Sequence, residues 1–262
     1  MRLNIPAAHL RTLFGIRQIK NLFHANAIET SLTFFSVDAL ISRAQAEARK
    51  LPQSPQYSDN IDKQFGIYDD IWLNFSDFHR NFGRPNEYGP ATFRFPLMRL
   101  LDFLVNDPTI KVSITKQNVD KWKASDSPTD RWFADIADFE SIFLHDRVHK
   151  DNTYFNRALP DLVISNLPTG LPLTLCDTVL IEKHPELTRL LKDVQNAITS
   201  QSAHYLLRHQ PIAWRNFCKT TCSCGSLEPY LKPNISAKFK FGGWKKLINQ
   251  ETYENWTRGR TA

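Results

Sequence analysis

Four polar residues of the 262-residue chain stand at or beside stretches that read as strands. His24 follows Leu22-Phe23 and precedes Asn26, and Arg43 ends Leu40-Ile41-Ser42. Tyr88 opens Tyr88-Gly89-Pro90, and Glu140 introduces Ser141-Ile142-Phe143-Leu144. Strand ends hold side chains rigidly enough for chemistry. Singly, each has a plain structural use: a histidine satisfied at a strand end, a tyrosine packed on a turn, a solvated glutamate. Held in this order by a rigid scaffold, the four together carry more than each does alone. A second arrangement of acids, Asp69, Asp70 and Glu140, would suit a Mg2+-dependent nuclease, although no Glu-x-Lys pair follows Glu140.

The motifs of common enzyme classes are missing. Nine glycines supply neither G-x-G-x-x-G nor G-x-x-x-x-G-K-[ST], which argues against Rossmann and P-loop sites. Neither G-x-S-x-G nor H-E-x-x-H occurs. The cluster Cys218, Cys222 and Cys224, with His204 and His209 upstream and Cys176 remote, has soft ligands but not the paired C-x-x-C spacing of a structural zinc site. Reduced thiols are the default reading, and no metal is assigned.

The elements that must position these residues follow from periodicity. Leu10, Leu13, Phe14, Ile16 and Ile19 predict an amphipathic helix within 7–22, and Leu22 to Asn26 a strand edge. Ser31 to Val37 is β-branched and aromatic, whereas Asp38 to Lys50 has helical propensity. Leu51 to Gly66, with Pro52, Pro55 and few apolar residues, predicts a long exposed loop. Strands are expected at Ile71–Phe75, Ala91–Phe95, Ile110–Thr115, Ser141–Leu144, Leu162–Ser165 and Thr178–Ile181. Pro96 opens a helix over Leu97 to Leu104, and a further helix follows Pro185. This segregation of helices and strands fits an α+β fold rather than an alternating doubly wound sheet.

Hydrophobic residues at 42% and charged residues at 23% are the balance of a globular chain. No apolar run approaches the roughly 20 residues of a membrane span, and the Arg- and Lys-dotted start does not read as a secretion signal, so a cytoplasmic location is expected. From Gln201 onward there are 10 Lys and Arg against 3 acids, within a net charge of +6 for the whole chain. That C-terminal basicity points to a polyanionic partner, most simply nucleic acid. Phe239, Phe241, Trp244 and Trp256 interleave with lysines and arginines there, the composition of a stacking face for bases. A solvated basic surface, or a basic segment whose aromatics complete the core, is the plainer reading. The division expected is a catalytic core over 1–185 and a helical, basic extension over 186–262 packed on it.

The order Phe23-His24-Ala25-Asn26, Leu40-Ile41-Ser42-Arg43, Phe65-Gly66-Ile67-Tyr68-Asp69-Asp70, Tyr88-Gly89-Pro90-Ala91-Thr92-Phe93, Phe139-Glu140-Ser141-Ile142 and Leu159-Pro160-Asp161-Leu162 resembles DarT-type nucleic-acid ADP-ribosyltransferases and their mRNA-modifying phage-defence relatives. The resemblance spans about residues 20–165 and implies a split β-sheet whose cleft takes NAD+ as co-substrate. It implies cofactor contacts from His24, Asn26, Tyr88 and Arg43, and a catalytic carboxylate at Glu140. The family's basic catalytic residue, which lies in the polar loop, would be Lys63 or Arg43, with His79 as another candidate. It further implies a toxin that modifies a base of DNA or RNA and is restrained by an antitoxin, with or without a chaperone. The competing readings are the metal-dependent nuclease and a non-enzymatic nucleic-acid-binding or antitoxin-interacting module.

Overall fold

The computed structural model describes residues 4–143 apart from 18, 27, 54, 55, 57, 58, 78–87 and 90, then residues 160–182 and 212–215. Its elements are α1 (Ala7–Ile16), β1 (Asn21–Asn26), α2 (Ile28–Val37), β2 (Ala39–Leu40), α3 (Arg43–Ala48), α4 (Asp59–Gln64), β3 (Ile71–Asn74) and β4 (Ala91–Pro96). There follow α5 (Leu97–Val105), β5 (Lys111–Ile114), α6 (Pro128–Arg131), α7 (Ile136–Glu140), β6 (Asp161–Ser165), β7 (Leu171–Pro172), β8 (Thr178–Glu182) and β9 (Ile212–Arg215). Among the described residues the main sheet has the order β5-β6-β3-β1-β4-β8-β9, antiparallel except for the parallel β8–β9 pair. Helices and an antiparallel sheet therefore make a mixed α+β fold, as the segregated pattern predicts.

One face of the sheet carries the main core. Leu22, Phe93, Leu73, Leu162, Ile114 and Val179 project to it. Helix α5 covers that face because Leu97, Leu100, Leu101 and Leu104 recur at helical spacing and are all buried. Phe14 from α1 and Phe139 from α7 close around Phe75, with ring centroids 5.5 to 6.0 Å apart. The opposite face carries a smaller aromatic cluster of Trp122, Trp132, Val163 and Ile67, with Trp72 and Phe65 against it. Alternation along the strands separates the two: Leu73 pairs with Leu162 on one face, and Trp72 with Val163 on the other.

The feature that makes a site is a break in pairing. Strand β1 matches β4 along its whole length, from Asn21↔Pro96 to Asn26↔Ala91, but meets β3 at the single pair Phe23↔Asn74. Beyond that pair the end of β1 and the start of β3 part. The sheet thus splits into a β5-β6-β3 half and a β1-β4-β8-β9 half.

Several expectations change. Ser31 to Val37 is helical: Thr30, Ser31, Thr33, Phe34 and Phe35 are all buried, so enclosure by the surrounding chain overrides β propensity. The stretch from Leu51 to Gly66 is not wholly loop, since α4 forms within it and Asp62 is 8% exposed. Ser141–Leu144 is not a strand where it is described: α7 ends at Glu140, and a turn follows in which Ser141 N–H bonds back to the Ala137 carbonyl. Pro96 caps α5 from the end of β4 instead of occupying its first turn. In the C-terminal region the described segment is a strand, β9, paired with β8. The expected helix after Pro185, the cysteines at 218, 222 and 224, and the aromatic-basic stretch from Phe239 lie outside the described residues.

Candidate active site

Where the sheet splits, a cleft of about 790 Å3, open mouth included, lies between its halves. Its wall draws on both faces of the sheet: His24 and Asn26 from β1, Phe34 from α2, Arg43 from α3, and Trp72 and Asn74 from β3. Tyr88, Asn118 and Asp161 line it as well.

His24 spans the gap left by the missing ladder. Its Nδ1 lies 2.8 Å from the Trp72 carbonyl. A carbonyl can only accept, so Nδ1 carries the proton and donates. The ring's Nε2 then accepts from Asn26 Nδ2 at 3.2 Å, and Asn26 Oδ1 accepts from Gln56 Nε2 at 2.9 Å. The ring packs on Phe34, centroid to centroid 5.7 Å. Burial pushes the imidazole down from its usual 6.5 to about 4; the bond to Trp72 opposes this, and the positive charge of Arg43 adds to it. His24 is a neutral ring at physiological pH.

Arg43 is placed by local sequence. Ser42 forms a capping box with Gln45, its hydroxyl accepting from the Gln45 N–H at 3.1 Å while the Gln45 side chain returns to the Ser42 N–H at 3.1 Å. The same hydroxyl donates to Asp69 at 2.5 Å. On the other side Gly170, at φ +76°, leads into β7, which pairs with β2; a Cβ there would lie 2.7 Å from an Ile41 methyl and 2.9 Å from the Leu40 carbonyl oxygen. The guanidinium is gripped by Asp59 through Nε at 3.0 Å and Nη2 at 2.8 Å. Its Nη1 is buried without a hydrogen-bond partner in the described protein. A buried donor left so costs about 1–3 kcal/mol.

Asp161 opens β6, is 4% exposed, and receives a hydrogen bond from Asn74, its register partner on β3. Thr115 fixes its backbone from both sides: Asp161 N–H donates to the Thr115 hydroxyl at 2.9 Å, and Thr115 N–H donates to the Asp161 carbonyl at 3.0 Å. Tyr88 faces Asn118, whose amide lies 3.5 Å from the phenol oxygen.

Of the residues singled out in the sequence, His24, Asn26, Arg43 and Tyr88 therefore share one cleft. Glu140 and Lys63 are not among its lining residues. Glu140 ends a helix instead of starting a strand, and its carboxylate pairs with Arg17 at 2.9 Å. Lys63 sits half exposed against Glu47 at 3.1 Å, with its ammonium 4.4 Å from the Tyr68 ring centroid. His79 lies outside the described residues. Sequence reading passed over Asp161 although Pro160-Asp161 heads a strong strand; Asn74, Gln56 and Asn118 gave no signal, because register and tertiary contacts alone bring them in. Among the described residues no three His, Cys, Asp or Glu side chains gather as a metal site. Asp69 is held by Ser42 and Glu140 by Arg17, so those two acids of the nuclease arrangement are engaged separately. No helix among the described residues is long and apolar enough to cross a membrane.

No protein-family model matches the chain, and no curated protein matches it. Solved structures of DarT from Thermus sp. 2.9 are similar to it over 76% of its length. The complex with ADP-ribosylated ssDNA aligns at 11% identity and TM-score 0.46 over 95% of that chain. The complexes with carba-NAD+ and NAD+ align at 10% and 11% identity, with TM-scores of 0.44 and 0.43, each over 96% of that chain.

Proposed function

We propose that the chain is an NAD+-dependent ADP-ribosyltransferase that modifies a nucleobase of DNA or RNA, acting as the toxin of a toxin–antitoxin phage-defence pair. The observation that carries this reading is the cleft at the split of the sheet, with His24, Asn26, Arg43 and Tyr88 on its walls and a buried carboxylate, Asp161, at the head of β6. The order of sequence segments supports the same reading. The partner set is nucleic acid and an antitoxin, with or without a chaperone.

The residues divide by chemistry. The guanidinium of Arg43, on the wall of the cleft, suits an anionic oxygen of the dinucleotide. Tyr88 offers an aromatic face to the nicotinamide ring. As the bond from the ribose to nicotinamide breaks, the leaving ring takes the bonding pair and the sugar gains positive charge, which a fixed anion stabilises more strongly than it stabilises the ground state. Of the three acids that line the cleft with His24, Asp62, Asp70 and Asp161, the part for which Glu140 was expected falls to Asp161, which Asn74 and the head of β6 hold in place. The acceptor atom of the base supplies the new bonding pair, and its proton passes to Asp161.

The test is incubation of the full chain with NAD+ labelled in the adenylate half and with single-stranded DNA, double-stranded DNA and RNA. Labelled nucleic acid together with released nicotinamide is the expected result. Absence of both with every acceptor overturns the proposal, and strand cleavage abolished by EDTA would favour a nuclease instead.

A further inference from the structure

Lys63, which the resemblance offered as a catalytic cation, has a different neighbour. Its ammonium stands over the Tyr68 ring, 4.4 Å from the centroid, and reaches both oxygens of Glu47, at 3.1 and 3.4 Å. The Tyr68 phenol hydrogen-bonds to the same carboxylate. Glu47 comes from α3 and Lys63 from α4, so two helices hold the ring by one face and by its hydroxyl. Neither Lys63 nor Glu47 lines the cleft, whereas Tyr68 does. The part of this half-buried ring that reaches the cleft is therefore what those two leave, the opposite face and the edges. A ring fixed in this way has little freedom left to lose when another ring stacks on it.

Its place along the cleft decides which ring it can meet. Asp161, the carboxylate assigned to the reacting ribose, is held by Asn74 at the last position of β3. Tyr68 lies ahead of Ile71, the first position of that strand, and at about 3.3 Å per residue the strand separates the two by roughly 10 Å. The Tyr68 carbonyl accepts from the Ala44 N–H at 3.2 Å, which sets this end of the cleft beside Arg43. In the dinucleotide the diphosphate and a second ribose stand between the nicotinamide ribose and the adenine. A diphosphate oxygen at Arg43 therefore directs the adenine toward Tyr68, whereas the base to be modified must approach the reacting carbon at the Asp161 end. Lys63 bears on the same choice. It already draws on the negative face of the ring, so the ring suits a neutral base better than the cationic nicotinamide. We propose that Tyr68 is the residue on which the cleft stacks the adenine of the dinucleotide. The identity of this ligand rests on the ADP-ribosyltransferase reading.

The test is calorimetric titration of the full chain with ADP-ribose and with nicotinamide mononucleotide, which lacks the adenine. Tyr68→Leu weakens ADP-ribose about tenfold or more, the effect of losing one base–aromatic stack, and leaves nicotinamide mononucleotide within about twofold of wild type. Tyr68→Phe keeps the ring without the hydroxyl and stays within about threefold of wild type for both ligands. Equal losses for the two ligands would mean that the substitution disturbs the cleft as a whole, and overturn the proposal. So does a folded Tyr68→Leu chain that binds ADP-ribose as wild type does. A measurement on the wild type decides the matter if leucine is not tolerated. The Tyr68 ring protons, assigned with Tyr68→Phe, move upfield when ADP-ribose is added and stay in place when nicotinamide mononucleotide is added. No movement with ADP-ribose overturns the proposal, as does movement only when a single-stranded oligonucleotide follows it, which would give the ring to the acceptor base. In the transfer assay Tyr68→Leu raises the KM for NAD+ and keeps kcat within about threefold, because the stack is the same in the ground and transition states. A chain that binds ADP-ribose on Tyr68 yet transfers none refutes the proposed function alone, and one that transfers ADP-ribose with Tyr68→Leu unimpaired refutes this assignment alone.

Discussion

Acidification should destabilise this fold through one histidine. His24 titrates near 6.5 in an unfolded chain and is pushed down to about 4 in the folded one, chiefly by burial. Between those values the unfolded state binds the proton and the folded state does not. The stabilisation is therefore complete above about pH 6.5 and is lost as the pH falls toward 4. At 1.36 kcal/mol per pH unit the full shift corresponds to about 3 kcal/mol, of which about 2 kcal/mol is lost between pH 7 and pH 4.5. The ring keeps an edge toward the cleft, so water screens part of the effect and about 2 kcal/mol is an upper figure. Urea unfolding at pH 7 and pH 4.5, on wild type and on His24→Gln, measures it. Glutamine retains a donor for the Trp72 carbonyl but cannot ionise. Carboxylates held low in the folded state, such as Asp107 and Asp130, contribute equally to both proteins and cancel in the comparison. Wild type should lose about 1–2 kcal/mol more than the variant on acidification. Equal losses would show that His24 is not held neutral by its surroundings, and the account of the site would fail.

Two carboxylates can be separated by activity. Asp161→Asn should lower kcat about 100-fold or more while leaving the urea midpoint nearly unchanged, since it removes a charge needed at the reacting centre. Glu140→Gln should keep transfer within about twofold and lose only the Arg17 pair, worth at most about 1 kcal/mol for so exposed a group; the opposite pattern would restore Glu140 as the catalytic carboxylate. Gly170→Ala should destabilise the chain by about 2–3 kcal/mol in thermal or urea unfolding, because a positive φ and a contact with the Leu40 carbonyl both oppose a side chain there. Arg43→Lys should raise the KM for NAD+ about tenfold, as an ammonium cannot bind both oxygens of Asp59 and keep a further donor in the cleft.

Much of the frame was readable before any coordinates. The amphipathic spacing of Leu97, Leu100, Leu101 and Leu104 dictates α5, alternation marks β5, and a short apolar run marks β6, because burying apolar surface is the same requirement wherever the element packs. Half of the site was readable for a related reason. His24, Asn26 and Arg43 are polar residues embedded in or capping segments that must be buried, and such residues need partners. Short elements were misread where local preference is weak. Ser31 to Val37 is β-branched and aromatic in sequence, yet it lies in a helix in which Thr30, Ser31, Phe34 and Phe35 are enclosed together. Glu140 reads as a strand opener, yet five residues from the Asp135 cap close into a helix whose end meets Arg17.

The linear chain by itself determined the elements with long periodic faces, the α+β class and the polar residues that those elements carry, since each depends on neighbours within a turn or two. Which carboxylates line the cleft with His24 was decided only in three dimensions. Asn74 and Asp161 are 87 residues apart and meet because β3 and β6 pair in one register, and a shift of β6 by one residue would turn Asp161 to the other face. The cleft itself has the same origin: it exists because β1 is matched along its full length by β4 and at only one pair by β3.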